Sequence, residues 1–72
     1  MSDQQLLERI TSDPGVMVGK PVFKGTRLTV ELILNLLAHG SIDEILAEYR
    51  RLSADDIRAC LLFASQSLSR PA

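Results

Sequence analysis

The chain has no tryptophan, one tyrosine, one cysteine and one histidine among its 72 residues. Each scarcity closes off a chemistry. A lone cysteine, Cys60, rules out an intramolecular disulfide framework, and with His39 as the only histidine no metal-ligand cluster is visible. Long apolar runs are missing as well: the longest, "LILNLLA", is far too short to span a membrane. The amino-terminal "MSDQQLLERI" carries Asp3 and Glu8 and does not read as a signal peptide. A cytoplasmic location without membrane contact is expected. An excess of either charge is absent too, with eight Lys and Arg against nine Asp and Glu and a net charge of −1. That balance argues against a protein that coats DNA non-specifically. What remains, 46% hydrophobic and 24% charged, is an ordinary globular composition. A chain of this length is expected to form one domain, residues 1–72, with a modest core, so a second subunit is the natural source of extra stability.

Two regimes follow one another along the chain. Residues 10–28 look extended and punctuated, with the short runs "VMV", "PVF" and "TRL" set between turn candidates Gly19-Lys20 and Lys24-Gly25. That spacing predicts a small β-ribbon. Pro21 has no backbone donor and belongs at a strand start or an edge.

Residues 29–69 read as a bundle of three helices. Thr29 is the expected N-cap of "VELILNLLAH", and Gly40 stands where a left-handed C-terminal residue is wanted. Only Glu31, Asn35 and His39 break the apolar surface of that segment, so it is expected to be central and buried. "SIDE" reads as a capping box of Ser41 and Glu44, opening a helix whose inner stripe is Ile42, Ile45, Leu46 and Tyr49. "SADD" marks the last helix start, with Ser53 as cap and two aspartates suited to the helix dipole. Its expected core stripe is Ile57, Cys60, Leu61, Ala64 and Leu68. Ala59, Leu62 and Phe63 widen the apolar surface and are the expected dimer or partner face.

Catalysis has little to stand on. His39 falls in the last turn of its helix, where capping a carbonyl or complementing the dipole accounts for it. Cys60 lies on an inner stripe, where a thiol acts as a small hydrophobe. Asp43, Glu44, Asp55 and Asp56 sit at helix starts with no histidine or cysteine beside them. No enzyme and no cofactor are expected. The stretch "GKPVFKGT" is not a phosphate loop either, because that motif needs a lysine directly after its second glycine and here Gly25 is followed by Thr26.

Nucleic-acid binding needs a separate weighing. The last two helices, joined by "RRLS", have the lengths of a helix-turn-helix, and three helices fit a homeodomain-like bundle. Yet Asp55 and Asp56 stand in the turn that would meet the major groove. The cations lie elsewhere: Lys20, Lys24 and Arg27 in the ribbon, where no acid interrupts them, and the pair Arg50-Arg51. These five residues are the candidate DNA- or partner-binding set. Two ribbons paired across a dimer would offer strands to DNA, whereas lysines on a ribbon also serve merely to keep an edge soluble. A stand-alone DNA-binding repressor and a plain dimerisation module are the alternatives these charges leave open.

The motif "GKPVFKGTRLTV", the apolar helix ending in "LLAHG" and the stretch "SIDEILAEYRRLSADDIRACLLFA" together resemble the domain-of-unknown-function family 433. Gly19, Pro21, Gly25, Thr26 and Arg27 fit its first block; Gly40, Ser41, Glu44, Ile45, Tyr49, Leu52, Asp56 and Ile57 fit the rest. The likeness covers roughly residues 10–65. It implies a homeodomain-like or winged three-helix fold with an amino-terminal β element, in a bacterial protein. It also implies an antitoxin that dimerises, represses its own operator DNA and occludes a PIN-like ribonuclease toxin. Few residues follow the last helical segment, so a toxin contact is expected from the folded body or the amino-terminal segment.

Overall fold

The computed structural model describes residues 1–69. Over these residues the chain forms four α-helices and a two-stranded antiparallel sheet. The three helices expected after residue 29 are present as α2 (Val30–Leu37), α3 (Ile42–Glu48) and α4 (Ala54–Leu68). A further helix, α1 (Asp3–Leu7), precedes them. Its start is a capping box: the Gln5 amide donates to Ser2 Oγ at 3.2 Å and the Ser2 amide to Gln5 Oε1 at 2.8 Å. The sequence signal is the Ser-x-x-Gln spacing of residues 2–5, which satisfies two orphan donors of a first turn.

The ribbon closes within the chain. Strand β1 (Ile10–Thr11) pairs antiparallel with β2 (Val22–Phe23), Ile10 opposite Phe23 and Thr11 opposite Val22. On its other flank β2 is held by the bridge of Val22 to Thr29 and by the Phe23 amide donating to Leu28 O at 3.0 Å. The flanks of β2 are therefore occupied by its own chain, and the ribbon-to-ribbon pairing with a second chain is not needed to satisfy it. Pro21 immediately precedes β2, where its missing donor costs nothing, and its carbonyl accepts from the Val30 amide. Both turn glycines have positive φ, +78° at Gly19 and +79° at Gly25.

"VMV" is not a strand. Met17 and Val18 are left-handed, with φ of 49° and 57°, and with Gly19 they form a tight turn closed by Gly19 N–H to Val16 O and Lys20 N–H to Met17 O, each 3.1 Å. β-propensity predicts strand for such residues, but the turn is imposed by the Asp13-Pro14-Gly15 loop that feeds it, where Asp13 Oδ1 accepts from the Gly15 amide at 2.9 Å.

Phe23, Ile33, Ile57 and Cys60, each essentially without exposure, lie in one cluster, so strand, α2 and α4 meet in one apolar centre, and Val22 is equally buried. Burying side chains of this size contributes on the order of 1.5–3 kcal/mol each. Helix α2 is less central than its composition suggests: Val30 and Ile33 are buried, but Leu32 is exposed. Gly40 does not take the left-handed conformation; α2 ends with the His39 and Gly40 amides both donating to Leu36 O, at 3.1 and 2.9 Å. Ile42, Leu61 and Leu68, expected on inner stripes, are exposed as well, because α3 and α4 turn other flanks inward.

On α4 the largest correction concerns Ala59. It was expected on an open dimer face, yet it is fully buried. The reason is α1, which packs along α4 and places Leu6 in the interior, so the chain covers that flank itself. Leu62 is half-buried, and Phe63 is half-buried against the core. Among the described residues no helix is long and apolar enough to cross a membrane.

Candidate functional site

Two short loops carry the charged surface. The first is the turn from Phe23 to Leu28, between β2 and α2. Thr26 braces it: its hydroxyl donates to Phe23 O at 2.8 Å and accepts from the Leu28 amide at 3.0 Å, while its own amide also donates to Phe23 O. Gly25 supplies the positive φ that the turn requires. The Lys24 amide donates to Arg9 O at 2.8 Å, tying the turn to the end of α1. So braced, the backbone holds the exposed Lys24 and Arg27 on a fixed frame.

The second loop runs from Tyr49 to Ser53, between α3 and α4. Tyr49 ends α3 with ψ of 79°, outside the helical region, and its carbonyl accepts from the Leu52 amide at 3.0 Å. Leu52 is buried, which anchors the loop and leaves Arg50 and Arg51 outward.

The fold brings these loops together. Arg51 lines two open grooves: one of about 710 Å³ shared with Lys24, Arg9 and the acids Glu8 and Asp56, and one of about 800 Å³ shared with Arg27, Thr26, Tyr49 and Asp13. Lys24, Arg27 and Arg51 therefore border one continuous stretch of surface. Arg50 is exposed beside Arg51 but lines neither groove.

The ion pairs sort the remaining cations. Arg9 reaches Asp56 at 3.2 Å and Asp55 at 3.8 Å; Arg58 pairs with Asp55 at 3.6 Å. Lys20 pairs with Glu31 at 3.5 Å. Arg27, four residues before Glu31, does not pair with it, because α2 begins only after Thr29 and Arg27 lies outside it. Among the described residues, Lys24, Arg27, Arg50 and Arg51 make no ion pair. Of the five sequence-derived cations, Lys20 alone is neutralised and set apart.

His39 and Cys60 line neither groove. His39 is exposed at the end of α2, with Nδ1 3.0 Å from Asn35 O, so it caps a carbonyl. The Cys60 thiol is buried, its Sγ 3.8 Å from Val30 O, and burial pushes its pKa up to about 11. A thiol held protonated is a poor nucleophile. Among the described residues no group of three His, Cys, Asp or Glu is placed to hold a metal ion. The arrangement presents guanidinium and ammonium groups beside one aromatic ring at Tyr49.

Two participants escaped the reading of the sequence. Arg9 had no local signal, because its partners lie at the start of α4, and Tyr49 was assigned to an inner stripe although it borders the second groove while packing on the core. Arg51 itself was legible, as half of an adjacent basic pair in a helix–helix turn.

The family model described as "Protein of unknown function (DUF433)" matches residues 10–64, most of the chain. No curated protein and no solved structure matches it.

Proposed function

The chain belongs to the DUF433 family, and from that premise we propose that it is a non-catalytic binding protein, the antitoxin of a toxin–antitoxin pair that occludes a PIN-like ribonuclease. The observation that carries this reading is the set of cations left without an ion pair among the described residues, Lys24, Arg27, Arg50 and Arg51, presented by two braced loops. PIN-type active sites are built from carboxylates. A rigid cationic surface complements such a site in charge and blocks it without chemistry of its own. A homeodomain-like arrangement of α2, α3 and α4 belongs to the same proposal, supported by the short α3–α4 connection.

Operator DNA is the second reading, and one observation redirects it. The first turn of α4, where a recognition helix would read bases, is occupied by Asp55 and Asp56 locked onto Arg9. Phosphates are repelled there, so DNA would engage the loops and not α4.

The test is co-expression with the product of the neighbouring gene, which this reading expects to be a small PIN-like nuclease. The complex is expected to co-purify and to lack ribonuclease activity. The triple variant K24E/R27E/R51E is expected to release active nuclease, while K20E still inhibits. Full inhibition by the triple variant would overturn the reading. A salt-steep shift of the chain's own promoter fragment, lost in the same variant with nuclease inhibition intact, would favour the repressor.

A further inference from the structure

The groove of about 800 Å³ carries more than charge. Its volume lies in the range of about 300–1,000 Å³ that holds a small ligand. Arg27 and Arg51 line it from the two loops, and neither makes an ion pair among the described residues. Gly25 and Arg27 add backbone donors. Their amides have no acceptor among the described residues, whereas the Lys24, Thr26 and Leu28 amides around them are all engaged. Amides beside two guanidiniums on a braced turn suit a small anion. Part of the lining is apolar, with Val16, Leu28 and the half-buried Tyr49, which packing against the core holds in place. Asp13 is the one acid on the lining, and its Oδ1 already accepts from the Gly15 amide.

We propose that this groove binds one nucleotide of a single-stranded nucleic acid, with its phosphate on Arg27, Arg51 and the Gly25 and Arg27 amides and its base stacked on Tyr49. Phosphate oxygens accept from guanidinium and amide together, and a base offers an aromatic side chain its flat face. The strand is single, because in a duplex those faces are covered by neighbouring bases. An acidic peptide is the rival occupant of two arginines, and the rest of the lining disfavours it. A carboxylate side chain leaves Tyr49 and Leu28 without a partner and brings a second acid toward Asp13. The second oxygen of Asp13 is instead an acceptor for the amine edge of a base. Lys24 lines the neighbouring groove that also holds Arg51, so the next phosphate along the strand has a cation to meet. The site shares Arg27 and Arg51 with the surface assigned to the toxin, but it needs no toxin to form.

The full chain alone tests this, and it carries its own reporter. Tyr49 is the one tyrosine and there is no tryptophan, so intrinsic emission comes from the residue the base covers. An octauridylate is expected to quench that emission saturably, after correction for its absorption, with affinity that falls as salt rises. Uridine monophosphate is expected to bind at least about tenfold more weakly, having no second phosphate for Lys24. Anisotropy of a fluorescein-labelled octauridylate reads the variants. Tyr49→Leu keeps an apolar side chain on the core and is expected to weaken binding at least about fivefold, with unchanged circular dichroism. R27E and R51E are each expected to weaken it at least about tenfold, while K20E, outside the groove and paired with Glu31, binds as the wild type does. Binding without quenching of Tyr49 overturns the proposal, as does the absence of binding at low salt. It falls equally if a polyglutamate peptide binds as tightly as the octauridylate, or if K20E weakens binding as much as R27E, since only net charge is then being read. Equal affinity for uridine monophosphate overturns the assignment to a strand.

Discussion

Arg9 and Asp56 meet at 3.2 Å although 47 positions separate them in the sequence. Asp56 is nearly buried, and its second oxygen accepts from the Ser53 amide at 2.8 Å and the Ser53 hydroxyl at 3.2 Å. One carboxylate thus caps α4 and holds α1 to it. Removing the guanidinium leaves a buried oxygen without its partner, so Arg9→Ala is expected to destabilise the chain by about 1–3 kcal/mol in urea unfolding. A double-mutant cycle with Asp56→Asn should show coupling on the order of 0.5–3 kcal/mol. Additivity of the two changes would mean that the pair contributes little.

The same pair shows which parts of the fold were legible. Helix starts were, because the signals are local: Thr29 accepts from the Leu32 amide and Ser41 from the Glu44 amide as their spacing predicts. The glycine turns were legible for the same reason. What α1 covers was not. The burial of Ala59 and the capture of Arg9 depend on where a distant segment docks, and no periodicity on α4 encodes that. The left-handed Met17–Val18 turn ran against propensity, and so did the exposure of Leu61 and Leu68. The candidate site was legible as a set of cations but not as a sorted one, because only the fold assigns Lys20 to Glu31 and leaves Lys24 free.

Gly25 and Val18 are expected to respond with opposite signs. At Gly25 a Cβ meets nothing within 4 Å, so the cost of Gly25→Ala is purely that of a side chain at φ +79°, roughly 1–2 kcal/mol. At Val18 the strain is already present, and Val18→Asn should gain up to about 1 kcal/mol. Thermal unfolding reads both. A stable Gly25→Ala chain would show that the turn relaxes to another conformation.

Cys60 is expected to be silent in the native state. Its thiol is fully buried and is raised from the ordinary 9.0 to about 11 by that burial. Alkylation at mildly alkaline pH should therefore follow the rate of unfolding. Because the folded value is the higher one, the stabilisation is complete below about pH 9 and is lost as pH rises toward about 11. Rapid labelling of the folded chain would contradict the packing.

Glu44 works in the acid direction. Its carboxylate accepts from the Ser41 amide at 3.0 Å, and this bond, with that from the Ser41 hydroxyl, holds its pKa below the ordinary 4.5. The capping contribution is present above the unfolded value and disappears as pH falls through the folded one. A carboxyl-detected NMR titration should place Glu44 below the ordinary range. Ser41→Ala removes only the hydroxyl's part, so it should raise the midpoint toward the ordinary value without fully restoring it, because the backbone bond remains.

Charge reversal on the two loops is expected to leave the fold alone. Lys24, Arg27 and Arg51 are exposed and make no ion pair among the described residues, so each change to Glu should shift stability by no more than about 0.5 kcal/mol. Lys20→Glu differs in kind, since it places an acid against Glu31, but that pair is solvent-exposed and worth at most about 1 kcal/mol. Urea midpoints for all four variants check this directly. The comparison matters because Lys20 lies in the same ribbon yet outside both grooves. If K24E, R27E and R51E unfold with the wild-type midpoint but lose their anionic partner, while K20E keeps it, the loss belongs to the surface built by the two loops. A large stability loss in any of the three would mean that its side chain braces the fold, and the cationic surface would then be a structural feature.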